Sequence, residues 1–186
     1  MINLSPLYDS SNVCIFIRHA EKNMNSYDLS PEGKTHSVEF AEKLSLLNKQ
    51  INVFSSPEER CIETATIINT KINSEITPIQ ISSALGKPGI QVRNEIEYTK
   101  LTDTMRCRDI FSEWKKGKYY QAMYRPEIIK DKMVAFFKMN SITNGIALYI
   151  SQSGTVACSG YSLNLLDYKN VDSEWVDYLD GYIFRL

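Results

Sequence analysis

The chain has 186 residues, a length typical of one domain with a single core, and 43% of these residues are hydrophobic. Its 21 basic and 22 acidic residues leave a formal net charge of -1. Because no basic cluster interleaved with aromatic residues occurs, we expect no nucleic-acid partner. No segment approaches the roughly 20 apolar residues of a membrane span, and no leader-like stretch opens the sequence. We therefore expect a cytoplasmic protein without a membrane partner.

The first elements of the chain predict an α/β unit. Residues 13–17 (VCIFI) form a short apolar run typical of a buried parallel strand. Ser30 and Pro31 then supply a helix N-cap and a first helical residue. A second strand at 51–54 and a second amphipathic helix at 58–68 complete a β-α-β-α pattern. The apolar residues at helical spacing in the first helix are Val38, Ala41, Leu44 and Leu47.

The second half of the chain predicts the rest of an α/β sheet. Residues 75–81 (EITPIQI) indicate a third strand, and Pro78 places it at a sheet edge or delays its start. The pattern then loosens into what we interpret as a crossover enlarged into a cap. Two helices are predicted within this part of the chain, at 105–116 and 126–139. They are followed by a predicted strand at 146–150, a helix from about Thr155 and a strand at 181–186.

The four cysteines follow neither a CxxC pattern nor a Cys/His ligand spacing. They are Cys14, Cys61, Cys107 and Cys158. Buried free thiols are the simplest interpretation. Because the chain has only two histidines, we expect no metal, and we expect no other cofactor.

Basic residues stand at the carboxyl ends of two predicted strands, where open α/β sheets bind ligands. Arg18 and His19 follow the first strand, and Arg60 lies in the first turn of the helix after the second. An imidazole can attack phosphorus, a guanidinium binds phosphate oxygens through paired hydrogen bonds, and a helix N-terminus favours anions. We therefore expect these side chains to bind a small phosphorylated or anionic ligand.

Four segments together resemble the histidine phosphatase superfamily, the phosphoglycerate-mutase-like clan, and in particular its small bacterial members with an RHAE start. They are FIRHAEKN (16–23), LSPEGK (29–34), FSSPEERCIETATII (54–68) and EWVDYLDGYIF (174–184). The resemblance implies a phosphoglycerate-mutase-like fold, a three-layer α/β/α sandwich with a mostly parallel central sheet. We expect one domain spanning 1–186, with the cap-like insertion at about 85–140.

The resemblance also implies a role for each basic residue. His19 matches the nucleophile, which becomes transiently phosphorylated, and Arg18 and Arg60 match the two phosphate-binding arginines. Lys22 falls where some branches of the family have a further basic ligand, and a solvated surface position is an equal alternative for it. His36 matches no catalytic position and is predicted to lie on a helix surface.

The chain departs from the family pattern after the strand at 146–150. Family members have a second histidine there, which contacts the phosphoryl oxygens, and in one branch a following acid protonates the leaving oxygen. This chain has Gln152 and Ser153 instead. An amide still donates a hydrogen bond to a phosphoryl oxygen but is neutral. We therefore expect turnover that is weak or restricted to activated leaving groups, which need no proton.

Three carboxylates are candidates for the missing acid. Glu21 stands close to the predicted nucleophile, and Glu95 and Glu97 follow the Gly/Pro-rich loop after the third predicted strand. The alternative role for Glu21 is to pair with an arginine. For Glu95 and Glu97 the alternative is a solvated loop charge.

Three functions remain open at this point. The first is an enzyme that hydrolyses or transfers a phosphoryl group through a phosphohistidine at His19. The second is a catalytically inactive pseudophosphatase that binds a phosphorylated or anionic ligand, and the third is the same pocket recruited for non-phosphoryl chemistry. Retention of His19 with both arginines favours the enzyme, whereas the joint replacement of the second histidine and its acid favours the pseudophosphatase. The sequence does not indicate an oligomeric state.

Overall fold

The computed structural model describes residues 1–4, 7, 12–24, 26–73, 77–169 and 174–185. These residues form five strands and six α-helices, and a 3₁₀ turn covers Ser83–Leu85. The strands are β1 (Val13–Arg18), β2 (Ile51–Ser55), β3 (Gln80–Ile81), β4 (Ile146–Ser151) and β5 (Gly181–Arg185). The helices are α1 (Pro31–Ser45), α2 (Glu59–Ile72), α3 (Glu95–Thr104), α4 (Cys107–Lys115), α5 (Pro126–Met139) and α6 (Ser153–Ser162).

The strands form one sheet in the order β3-β2-β4-β1-β5. β1 and β2 each pair in parallel with β4, and β3 pairs in parallel with β2. Among the strands of the described residues only β5 runs antiparallel, along the free edge of β1. The mostly parallel central sheet expected from the sequence is therefore confirmed, and the carboxyl ends of β1, β2 and β4 meet at one edge of it.

The sheet is covered on both faces, because alternate side chains of each buried strand point to opposite sides. In β1, Val13, Ile15 and Ile17 pack into the core formed with α1 and α2. Cys14 and Phe16 pack into the opposite core, which contains the buried aromatic side chains of α4 and α5 and the small residues of α6. The predicted three-layer α/β/α arrangement is thus confirmed.

Two of the predicted elements differ in detail from the observed ones. On α1 the buried stripe contains Phe40, whereas Val38, one of the apolar residues at helical spacing, is only half-buried. The helix is rotated so that Gly33, Ser37 and Phe40 face the sheet. The strand predicted at 75–81 is limited to Gln80 and Ile81 in the described residues, and positions 75 and 76 lie outside them. As Pro78 indicated, this strand starts late and lies at the sheet edge. The last residue of the strand predicted at 181–186 also lies outside the described residues.

Helix α3 was missed by the sequence analysis. None of its residues is fully buried, so it has no apolar stripe to reveal it. It begins where the Asn94 side chain accepts a hydrogen bond from the backbone N–H of Glu97 at 3.3 Å, and this Asn-x-x-Glu start was the signal available.

All four cysteines are free, but Cys107 is only half-buried, because it opens α4 beside a cavity.

Among the described residues no helix is both long and apolar enough to cross a membrane.

Candidate functional site

His19 lies where the ends of β1, β2 and β4 come together. Its backbone N–H donates to the carbonyl of Ser151, the last residue of β4, at 2.9 Å. Arg60 stands in the first turn of α2, and its Nε lies 3.0 Å from Nε2 of His19. The structure therefore brings this imidazole and this guanidinium into direct contact.

The two hydrogen bonds of the His19 ring define its tautomer. Nδ1 lies 2.7 Å from the carbonyl oxygen of Ala20, which can only accept, so Nδ1 carries the proton. Nε2 then accepts the hydrogen bond from Arg60 Nε, because an arginine can only donate. The unshared electron pair of the ring is thus directed at the guanidinium.

The surroundings of His19 keep its ring neutral. Burial of the side chain, which is 4% exposed, lowers the pKa of His19 to about 3, and the Ala20 carbonyl opposes this shift only in part. The nearby charges of Arg60, Arg18 and Lys22 lower the pKa further. At neutral pH the imidazole therefore has a free electron pair, which a nucleophile requires.

Thr64 holds the segment after β1 against α2. Its hydroxyl accepts from the backbone N–H of Ala20 at 3.1 Å and donates to the carbonyl of Arg60 at 2.7 Å. This single buried side chain therefore fixes the distance between the two segments that supply His19 and Arg60.

Arg18 is held by the segment that precedes β5. Its Nη1 donates to the carbonyl of Val176 at 2.9 Å, and its guanidinium carbon lies 3.8 Å from the centre of the Tyr178 ring. Burial lowers the pKa of Arg18, and the Tyr178 and Asp177 side chains oppose that effect. Nε of Arg18 is buried and has no hydrogen-bond partner among the described residues. The charge of Arg18 is close enough to His19 to lower the pKa of its ring, and Nε leaves donor capacity unused.

Gln152 and Glu58 form a partly buried pair at the ends of β4 and β2. Nε2 of Gln152, the residue that precedes α6, donates to Oε1 of Glu58, which precedes α2. Glu58 is 3% exposed, and Oε2 has no partner among the described residues. Burial raises the pKa of Glu58, while Arg60, Lys87 and Gln152 oppose the increase. Glu58 was expected from the sequence only as the start of a helix; its place between a strand end and Arg60 was the available signal.

Two cavities adjoin this pair. The first, of about 310 Å³, is lined mainly by residues 86–107 and by the start of α6. The second, of about 410 Å³, is lined by Arg60, Tyr27 and Glu59. Glu58, Lys87 and Gln152 line both cavities. A ligand held by Arg60 thus has space to extend over Glu58 toward α3.

The carboxylates predicted as acids lie in different surroundings. Glu95 is exposed at the start of α3 and lines the first cavity. Glu97 forms a 2.6 Å ion pair with Lys100. Glu21 lines a separate depression of about 510 Å³, together with His36, which is exposed on α1 as predicted. Of the three, the structure brings only Glu95 to the cavity that contains Gln152.

The remaining predicted residues frame the site. The Lys22 ammonium donates to the carbonyl of Asn23 at 3.2 Å, close enough to His19 for its charge to act on the ring. Ser153 is half-buried as the first residue of α6, next to Gln152.

A comparison with protein-family models matches residues 14–124 to the histidine phosphatase superfamily (branch 1). The matched residues are more than half of the chain, and they include His19, Arg18 and Arg60. No curated protein sequence matches the chain significantly.

Solved structures of phosphatases and a mutase have the same fold. A candidate alpha-ribazole-5'-P phosphatase from Escherichia coli K-12 has a TM-score of 0.56 at 16% identity, covering 90% of this chain and 87% of its own. A mycobacterial glucosyl-3-phosphoglycerate phosphatase has a TM-score of 0.55 at 15% identity, with coverages of 94% and 89%. A phosphoglycerate mutase from Bacillus anthracis has a TM-score of 0.56 at 10% identity, with coverages of 97% and 91%. At these identities the likeness establishes the fold, which is the phosphoglycerate-mutase-like one expected from the sequence.

Proposed function

The chain belongs to the histidine phosphatase superfamily, and on that premise we propose that it hydrolyses or transfers phosphoryl groups through a phosphohistidine at His19. One observation carries this proposal. Nε2 of a neutral imidazole faces Arg60 Nε at 3.0 Å, while Nδ1 is occupied by the Ala20 carbonyl. The nitrogen that would attack phosphorus and the cation that would bind the phosphoryl oxygens are thus adjacent.

Phosphate binding would rearrange the hydrogen bonds of Arg60. An arriving phosphoryl oxygen is a stronger acceptor than a neutral imidazole, so the guanidinium would transfer its donors to the oxygens and release Nε2 for attack. Arg18 has an unused Nε and adds a second positive charge, and Lys22 adds a third. The mycobacterial phosphatase with the same fold has also been solved with inorganic phosphate and with VO3, which supports a small anionic ligand for this site.

The reaction would lack one cation of the family pattern. We propose that Gln152 stands where RHAE-type relatives have their second histidine, and that Ser153 stands where some have an acid. Loss of a charge-assisted donor at a developing anion costs roughly 10²- to 10³-fold in rate. Neither side chain protonates a leaving oxygen, so turnover is weak or restricted to activated leaving groups unless another residue of the cavity supplies a proton.

Specificity would come from the segment at about 85–140, which we propose is a cap within a single domain. Its residues line most of the first cavity, including Gln91, Tyr98 and Thr102. The leaving group would therefore lie against a wall of amide, phenol and hydroxyl groups.

A pseudophosphatase is the second candidate function, and the Gln152–Glu58 pair favours it. The amide at the position of the second histidine is already hydrogen-bonded to a carboxyl group rather than left for a phosphoryl oxygen. Under this alternative, Arg18 and Arg60 bind an anion and His19 is never phosphorylated.

Phosphohistidine formation separates the two candidates. The purified protein is incubated with radiolabelled acetyl phosphate, whose leaving group needs no proton, and the label is tested for acid lability and base stability. We expect such a label on the wild type and none on His19→Ala. The matched control is His36→Ala, which removes the other histidine from an exposed position on α1 and should leave the label unchanged.

Two outcomes would contradict the enzymatic function. Equal labelling of the wild type and His19→Ala would locate the chemistry elsewhere. Absence of label and of turnover, together with phosphate binding in calorimetry that Arg60→Ala abolishes, would establish the pseudophosphatase instead.

A further inference from the structure

Glu58 is a carboxyl group enclosed at the centre of the candidate site. It precedes the helix that supplies Arg60, it lines both cavities, and its side chain is hydrogen-bonded to Gln152. Ionised carboxylates are rarely buried unless a cation or several donors compensate them. Here Oε1 accepts from the Gln152 amide, the backbone N–H of Glu58 itself also acts on the carboxyl group, and Oε2 has no hydrogen-bond partner among the described residues.

The backbone leaves room for this carboxyl group. A Cβ at Gly86 would lie 2.8 Å from Glu58 Oε2 and 2.7 Å from Ser56 Oγ, closer than real Cβ contacts. Any other residue at this position would displace the acid or the loop. The room for Oε2 thus depends on a glycine that itself lines the first cavity.

We propose that Glu58 is the general acid of this site and protonates the leaving oxygen of a phosphate ester, an inference that rests on the phosphohistidine route proposed above. As Nε2 of His19 forms its bond to phosphorus, the bond from phosphorus to the leaving oxygen breaks. That oxygen keeps the bonding electron pair and takes the proton of the Glu58 carboxyl group. The products are the alcohol, the phosphohistidine and a carboxylate at Glu58.

The second half of the reaction restores the acid. Water attacks the phosphohistidine and loses one proton to the Glu58 carboxylate. The phosphorus–nitrogen bond breaks, and its electron pair returns to Nε2 of His19. Inorganic phosphate leaves, and both residues regain their starting protonation states, so the cycle needs neither a metal nor an external acid.

Gln152 fits this function better than a histidine would. Because its amide donates to Oε1, the carboxyl proton stays on Oε2. A protonated imidazole in this place would stabilise the ionised form of Glu58 and lower its pKa, whereas a neutral amide does so only weakly. The amide of Gln152 and the buried acid beside it therefore act together, because the neutral amide lets Glu58 keep its proton.

The charged and titratable neighbours of Glu58 come from the several elements that surround it. The cations are Arg60 on α2 and Lys87 from the loop after the 3₁₀ turn. The Cys61 thiol and the Tyr98 phenol are the neutral acids, and Glu95 lines the same cavity. Burial outweighs both cations and raises the pKa of Glu58, so the carboxyl group keeps its proton at a higher pH than an exposed glutamate does.

Two substrates of nearly equal size provide the test. p-Nitrophenyl phosphate releases a weakly basic phenolate that needs no proton, and phenyl phosphate releases a more basic one that does. We expect Glu58→Gln to lower kcat/KM for phenyl phosphate roughly 10²-fold while that for p-nitrophenyl phosphate stays within about threefold. The alkaline decline of the phenyl phosphate pH profile should disappear in this variant. The new amide is isosteric and its oxygen can still accept from Gln152, so the fold is preserved.

The control is Glu32→Gln, which removes an exposed carboxylate from the first turn of α1 and should leave both substrates unaffected. Equal losses for the two substrates, no loss for either, or a wild type inactive toward phenyl phosphate would each overturn the assignment of Glu58. Acetyl phosphate labelling of Glu58→Gln makes these failures distinct from failure of the phosphohistidine route. If the variant is labelled at His19, the route stands whatever Glu58 does, and if the wild type is not labelled, the route itself is wrong.

Discussion

The pH dependence of stability should report the buried imidazole of His19 directly. The pKa of this group is about 3 in the folded chain, against about 6.5 for an ordinary histidine. Between these two values the unfolded chain binds a proton that the folded chain does not, so stability falls as pH falls through this range. Well above pH 6.5 both states are neutral at this site and the stabilising contribution is complete.

The size of the effect follows from the two pKa values. For one group shifted from 6.5 to about 3, the free energy of unfolding decreases by about 2 kcal/mol between pH 7 and pH 5. Solvent screens the electrostatic interactions of this ring only slightly, because His19 is only 4% exposed. Protonation would also break the hydrogen bond that Nε2 accepts from Arg60 Nε.

Urea unfolding at several pH values between 5 and 7, without phosphate, measures this loss. His19→Asn removes the titrating group, so its stability should fall by about 2 kcal/mol less than that of the wild type over this range. His36→Asn, from the exposed face of α1, should retain the full wild-type loss. Carboxylates contribute equally to all three proteins and cancel in the differences. Parallel curves for the wild type and His19→Asn would refute the inference that the ring is held neutral by burial.

Three further predictions concern the site and its framework. The double change Gln152→His with Ser153→Asp should raise p-nitrophenyl phosphate turnover roughly 10²-fold if the rest of the site is complete, and unchanged turnover would mean that the cap has also diverged. Tyr178→Ala removes the ring 3.8 Å from the Arg18 guanidinium and should weaken phosphate binding in calorimetry by roughly 2- to 30-fold. Equal affinity in this variant and in Tyr178→Phe, which keeps a ring, would refute the role of the ring. Gly181→Ala would place a Cβ 2.0 Å from the Phe16 carbonyl oxygen and should lower stability in urea unfolding by about 3 kcal/mol. Gly154→Ala, with its nearest contact at 3.8 Å, should be nearly neutral, and equal effects of the two variants would contradict the close approach of β5 to β1.

Local pattern determined much of this protein. The apolar run of β1, the Ser30–Pro31 start of α1 and the strand β4 each satisfy a rule that involves only neighbouring residues. Ser30 indeed caps α1 through Gly33 N at 3.0 Å. Because parallel strands present their carboxyl ends at one edge, the sequence also predicted that His19 and Arg60 would lie near each other.

The misses occurred where local pattern carries no information. Helix α3 has no fully buried residue, so no apolar periodicity marked it. The phase of α1, with Phe40 rather than Val38 inside, depends on how the helix is rotated against the sheet. The three acids proposed from the sequence were chosen by proximity along the chain, which does not measure burial.

The sequence by itself therefore determined the order of the strands and of every helix except α3, the layer arrangement and the residue types at the strand ends. Only the tertiary structure decided which of those residues are enclosed and what they touch. Nε2 of His19 accepts from Arg60, about forty residues away, and Glu58 depends on Gly86 for room and on Gln152 for a hydrogen bond. Burial and hydrogen bonding set protonation states, and both arise from contacts between segments that are distant in the chain.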